Sequence, residues 1–192
     1  MPPDIRGVLL CGGRASRFGA DKLLAGAEPI VVQAARHLIE AAGNALAVIP
    51  LGRETLRAAL EPLGCEVLET DRTALGMAGS LVAAIEATER ADGWIVALGD
   101  MPAVRAGTIR AVRDALLAGA AVALPCDAHG RRGHPVGFAS SLRGELLALR
   151  GDVGAREVLA RHPDAIRAIV TDDAGIFVDI DTPQDLERMG GR

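Results

Sequence analysis

Short apolar runs alternate along the chain with longer segments whose apolar residues recur at helical spacing, and polar or glycine-containing turns divide them. Gly7-Val8-Leu9-Leu10 reads as a buried strand, because a continuous apolar run of this length offers no polar face to water. The same period rules predict helices over residues 29–42, 53–63, 77–90 and 104–118, and strands over 45–50, 65–68, 94–98 and 121–125. Strand, helix and strand in succession is the pattern of a parallel sheet with crossover helices. The later part is less regular. It reads as a polar turn at 127–133, a strand at 135–139, helices at 142–149 and 155–161, strands at 166–170 and 175–178, and a last helix at 183–189. The expected class is α/β, a three-layer α/β/α sandwich on a mostly parallel sheet. No linker, repeat or low-complexity stretch interrupts it, so a single domain over 1–192 is expected.

Ligands of open α/β sheets collect beyond the carboxyl ends of the strands. Three such ends carry suitable residues. The first is the glycine-rich loop Cys11-Gly12-Gly13-Arg14-Ala15-Ser16-Arg17-Phe18-Gly19-Ala20-Asp21-Lys22. Of 21 basic residues, Lys22 alone is a lysine. Arginine everywhere else and lysine here points to a need for a compact ammonium, and glycines let backbone amides approach an anion, so the loop is a phosphate-site candidate with Arg17 and Lys22 as its charges. The second is Gly99-Asp100-Met101-Pro102, and the third is Asp179-Ile180-Asp181-Thr182-Pro183. Carboxylates at Asp100 and Asp181 that met around a triphosphate would suit Mg²⁺, which shares phosphate oxygens and keeps waters. Each also has a capping alternative: Asp100 before a helix, and Asp181 or Thr182 before Pro183.

Composition narrows the ligand. A net charge of −4 with 2% aromatic residues gives neither the basic excess nor the stacking platform of a nucleic-acid binder. No signal-like N-terminus and no apolar run near the roughly 20 residues of a membrane span is present, so a cytoplasmic protein without a membrane partner is expected. Cys11, Cys65 and Cys126 form no C-x-x-C pair, which argues against a disulfide framework or structural zinc. No base neighbours Cys11 in sequence, and His37, His129 and His162 are widely spaced and read as structural or exposed.

Walker A is excluded by spacing, since five residues separate Gly13 from Gly19 and Lys22 lies three beyond; G-x-G-x-x-G is absent as well. The loop instead has the form L-x-G-G-x-x-x-R-x-G-x-D-K. With Gly76-Met77-Ala78-Gly79-Ser80-Leu81, Asp100-Met101-Pro102, Gly133-His134-Pro135-Val136, Gly151-Asp152-Val153-Gly154-Ala155-Arg156 and the closing Asp179-Ile180-Asp181-Thr182-Pro183-Gln184-Asp185-Leu186, it resembles the MobA-like nucleotidyltransferases, the molybdenum-cofactor guanylyl- and cytidylyltransferases, over nearly the whole chain.

That resemblance implies a Rossmann-like nucleotidyltransferase fold, with a nucleotide-binding half over about 1–125 and an acceptor-binding half over about 126–192. Leu10, Cys11, Gly12 and Gly13 would line the nucleotide, with Ser80 beside it, and Arg17 and Lys22 would hold the triphosphate. Asp100 would bind Mg²⁺ with Asp181 as second ligand, so that Lys22, Arg17 and Asp100 carry the catalysis. His134, Asp152 and Arg156 would face the acceptor, the terminal phosphate of a molybdopterin-type pterin; Arg131 and Arg132 add charge nearby. The partners implied are an NTP, the phosphorylated pterin, and a recipient molybdoenzyme or its chaperone. The Leu-x-Gly-Gly loop is of the guanylyltransferase form, whereas the blocks at 76–81, 133–136 and 151–156 are of the cytidylyltransferase form, so CTP is favoured and GTP is the alternative. A sugar phosphate or another phosphorylated metabolite as acceptor, and a non-catalytic nucleotide-binding relative, are the other readings.

Overall fold

A computed structural model describes residues 3–12, 21–151 and 154–190. Its strands are β1 (Ile5–Leu10), β2 (Leu46–Pro50), β3 (Glu66–Thr70), β4 (Gly93–Leu98), β5 (Val122–Cys126), β6 (Val136–Ala139) and β7 (Ile166–Val170). They form one sheet in the order β3-β2-β1-β4-β6-β5-β7. Pairing is parallel except along β6, which runs antiparallel to both β4 and β5. The helices are α1 (Ile30–Ala42), α2 (Glu54–Leu60), α3 (Met77–Ala87), α4 (Ala106–Leu117), α5 (Arg143–Leu147), α6 (Arg156–Arg161) and α7 (Pro183–Gly190).

Both faces of the sheet are covered, as the apolar central strands require. Successive strand side chains point to opposite faces. Ile5 and Leu9 of β1, with Ala47 and Ile49 of β2 and Ile95 and Ala97 of β4, pack under α1, α2 and α4. Val8, Leu10, Val48, Trp94 and Val96 join β6 Phe138 beneath α3, α5 and α6 on the other face. The three-layer α/β/α sandwich is thus observed.

Several predicted segments are trimmed for local reasons. The helix predicted to reach residue 90 ends at Ala87, because Thr88 Oγ1 donates to the Ala84 carbonyl at 2.7 Å and accepts from Trp94 Nε1 at 2.8 Å. One expectation is wrong in kind. The strand predicted at 175–178 is a 3₁₀ turn, Ala174–Phe177. The Asp173 carboxylate accepts from Gly175 N–H at 3.0 Å and starts the turn, while the Ile176 carbonyl accepts from His134 N–H at 3.1 Å outside any ladder. Ile176 is buried by packing under Gly133 and Gly175 by packing against Ala103, not by strand pairing. No helix among the described residues is long and apolar enough to cross a membrane.

Candidate active site

The loop after β1 is held at both of its described ends. At the first, Cys11 N–H donates to Val48 C=O of β2 at 3.0 Å. The Cys11 thiol is buried, with Sγ 3.8 Å from the Leu9 carbonyl, and burial together with the nearby Cys65 and Asp100 pushes its pKa far up, so it is no nucleophile. Gly12 follows at a tight approach. A Cβ there would lie 2.9 Å from Ser80 Oγ and 3.3 Å from Thr73 Cβ. Ser80 is buried against Gly12, on the first turn of α3. Gly13 and Arg17 lie outside the described residues, as does Asp152.

At the far end Asp21 is ion-paired with Arg53, which occupies the N-cap position of α2. That is an uncommon place for a cation, since the helix dipole disfavours positive charge there and no side-chain cap is made. The next residue is Lys22. Its Nζ donates at 2.8 Å to Asp100 Oδ2 and at 2.8 Å to Asp181 Oδ1. Burial alone would lower its pKa from 10.5; the hydrogen bonds to Asp100 and Asp181 outweigh that and raise it, so the ammonium stays charged.

Asp100 belongs to the turn after β4, where Met101 N–H closes on Leu98 C=O and Gly99 N–H on Leu10 C=O of β1. It does not cap α4, which begins at Ala106 behind Arg105. Asp181 reaches the same place without a strand to carry it: Ile180 N–H donates to the Asp100 carbonyl at 2.9 Å and holds the two segments side by side. Capping of α7 falls to Thr182 and Asp185. Asp185 accepts from Thr182 N–H at 2.8 Å, and Thr182 Oγ1 accepts from Asp185 N–H at 3.3 Å. The convergence of Asp100 with Asp181 is as the sequence suggested; the ammonium between them is not. No group of three His, Cys, Asp or Glu that could hold a metal is found among the described residues. Two carboxylates are nevertheless a donor set that suits Mg²⁺, which takes its other ligands from phosphates and water.

Beyond β4 the sheet opens into a cavity of about 330 Å³. Leu10, Leu81, Val96, Leu98, Leu124 and Phe138 are among its walls, and Arg132, His134 and Arg156 supply the ionisable groups. His134 precedes β6 and stands in the electrostatic field of both Asp100 and Arg156. Burial holds its pKa below the ordinary 6.5, Arg156 adds to that effect, and Asp100 and Asp179 oppose it. Its buried Nδ1 has no hydrogen-bond partner among the described residues. Arg156, at the start of α6, is exposed at the cavity wall.

The blocks at 76–81 and 151–156 meet here. Ala78 N–H donates to Gly151 C=O at 3.2 Å, and a Cβ on Gly154 would lie 2.8 Å from Met77 Sδ. Sequence reasoning passed over Arg53 and Asp173. The first was signalled by its charge at a helix start. The second, flanked by Thr171 and Gly175, carried only a turn signal, yet it is 4% exposed and anchors the segment that brings Asp181 to the site.

A doubly covered, mostly parallel sheet brings Lys22, Asp100 and Asp181 together beyond the ends of β1 and β4, which is the architecture of an α/β nucleotide-type fold. The family of the MobA-like NTP transferase domain matches residues 7–166. The chain belongs to that family. It is 34% identical over 100 residues to a protein of Thermococcus sibiricus described as a probable molybdenum cofactor guanylyltransferase, the match spanning 51% of this chain and 49% of that relative. Rv0371c of Mycobacterium tuberculosis H37Rv superposes with a TM-score of 0.86 at 28% identity over all of both chains. A manganese complex of the same protein superposes at 0.82 with 26% identity, again over all of both chains.

Proposed function

We propose that this chain transfers a nucleoside monophosphate from an NTP to the terminal phosphate of a molybdopterin-type pterin and releases pyrophosphate. The observation that carries this reading is Lys22 held between Asp100 and Asp181 at the foot of the glycine-rich loop, next to an apolar-walled cavity with Arg132, His134 and Arg156. The apolar walls suit a flat heterocycle, and the arginines suit its phosphate. The two proposed halves, about 1–125 and about 126–192, then contribute the nucleotide side and the acceptor side of one cleft.

The acceptor phosphate is ionised near neutral pH, so no protein nucleophile is required; the work is alignment and charge neutralisation. Lys22 and Arg17 bind triphosphate oxygens and oppose the charge that grows on the leaving pyrophosphate. Asp100 and Asp181 are the residues to hold Mg²⁺, which when bound supplies Lewis-acid polarisation of the phosphates. His134, neutral near pH 7, adds no charge to its side of the cleft and offers Nδ1 as a hydrogen-bonding group, while Arg156 and Asp152 orient the acceptor. Gly12 comes down onto Ser80, so the chain leaves β1 close against the first turn of α3. A manganese complex of a structural relative supports a divalent cation in this fold.

CTP is the proposed donor, on the likeness of the 76–81, 133–136 and 151–156 blocks to the cytidylyltransferase branch. GTP is the second reading, favoured by the Leu10-Cys11-Gly12-Gly13 form and by the guanylyltransferase name of the Thermococcus relative. Pyrophosphate release by purified protein with Mg²⁺, molybdopterin and each of CTP, GTP, ATP and UTP decides between them. Preference for CTP is expected. Preference for GTP transfers base choice to the loop, and no release with any of the four refutes the pterin acceptor.

A further inference from the structure

We infer that Lys22 and the divalent cation are alternative occupants of the Asp100–Asp181 pair, so the ammonium must leave its carboxylates before the cation can take them. This rests on the reading of Asp100 and Asp181 as the residues that hold the metal. The Lys22 side chain is 14% exposed and spends two of its three N–H donors on Asp100 Oδ2 and Asp181 Oδ1, both at 2.8 Å. The pair is therefore already organised around a positive charge. A divalent cation drawing on the same carboxylates would sit about 2 Å from their oxygens and within a few ångströms of Nζ, where like charges repel strongly.

The two sides of the contact differ in what can move. Asp100 and Asp181 have short side chains, and their backbones are tied together through Ile180 N–H to the Asp100 carbonyl. The backbone around Lys22 is equally fixed: Leu24 N–H closes on Asp21 C=O, Ala25 N–H closes on Lys22 C=O, and Asp21 is paired with Arg53. What remains free is the four-carbon lysine stem, which can carry Nζ several ångströms by rotation alone. An NTP polyphosphate supplies the anionic oxygens that the displaced ammonium needs. Lys22 thereby holds down the affinity of the protein alone for a cation, and the cation enters with the polyphosphate instead of ahead of it. The competing arrangement keeps Lys22 on both carboxylates and lets only its third N–H reach phosphate.

Mn²⁺ titration of the nucleotide-free protein, followed by electron paramagnetic resonance of the free ion, separates these arrangements without any turnover. Lys22→Met should bind Mn²⁺ about tenfold more tightly than the unaltered protein, the scale of two partly exposed ion pairs released. Adding Asp100→Asn to Lys22→Met should abolish the gain. Equal or weaker binding by Lys22→Met, with binding still lost on Asp100→Asn, overturns the exchange and leaves the metal-ligand reading standing. Mn²⁺ binding that is indifferent to Asp100→Asn and Asp181→Asn overturns both.

A second measurement needs no variant. Lys22 carries the chain's single side-chain amine. Its acetylation by an N-hydroxysuccinimide ester, read by mass spectrometry apart from the N-terminal amine, should speed up several-fold with Mn²⁺ alone, and a rate unchanged at saturating Mn²⁺ refutes displacement.

Discussion

Replacing Asp173 by alanine tests whether the segment that delivers Asp181 is held by one buried carboxylate. Asp173 accepts from Arg105 N–H at 2.9 Å, from Thr108 Oγ1 at 2.6 Å and from Gly175 N–H at 3.0 Å, with Arg105 Nε at 3.4 Å. It is thus the N-terminal cap of α4 supplied from another part of the chain, and its charge is well placed against the helix dipole. Alanine strands three donors. Thr108 is buried and stays dry, at a cost of about 1–3 kcal/mol. The Arg105 amide loses a cap worth about 1 kcal/mol. Gly175 can turn to water only if the 174–177 segment lifts. The sum is a loss of about 3 kcal/mol, or a fall in Tm of about 6–12 °C for a chain of this size. Trp94, the single tryptophan and fully buried, reports urea unfolding by fluorescence. Asp173→Asn, which keeps one acceptor, should lose roughly half as much. A midpoint shift equivalent to less than about 1 kcal/mol at unchanged m-value would show that the carboxylate is not the anchor.

Three further outcomes are expected. Arg53→Met and Asp21→Asn should each lower kcat/KM, chiefly through the KM for nucleotide, and the double variant should match the worse single one; additive losses would mean that Arg53 does not act through Asp21. Gly12→Ala should push the loop off Ser80 and cut turnover, and Ser80→Gly in the same chain should restore part of it by making room; no restoration would place the fault elsewhere than that contact. The native His134 pKa lies below its ordinary 6.5, so below that pH the unfolded chain binds the proton first. Stability is therefore full above about pH 6.5 and falls as pH drops towards the native value, so between pH 7.5 and 5.5 the urea midpoint should fall further for the original protein than for His134→Asn; parallel falls would show that this histidine is not responsible.

The sheet was legible because its central strands carry continuous apolar runs with helices between most of them, so their existence follows from the need to bury both faces. Direction is not carried by that period, and β6 reads the same whichever way it runs. Residues 175–178 misled for a related reason: Ile176, Phe177 and Val178 look like a strand, but their environment comes from Gly133, Ala103 and a carboxylate at Asp173. At the site, Lys22 was legible through its rarity and Asp100 through its place after β4. The contact of Lys22 with both aspartates was not, since Lys22 and Asp181 are 159 residues apart and meet where Ile180 N–H bonds to the Asp100 carbonyl.

Running one strand backwards gives the ligand edge two independent sources of variation. Along β1 and β4, the edge receives residues that have just left the sheet, and altering them disturbs the glycine-rich loop or the Asp100 turn. Through β6 it receives residues about to enter, so His134 comes from the 127–133 turn, which is closed on itself by Asp127 accepting from His129 and Arg131 N–H. That turn can lengthen outwards or exchange its side chains while the β1 and β4 edge keeps its shape. The fold thus lets one side of this edge vary while the other stays fixed.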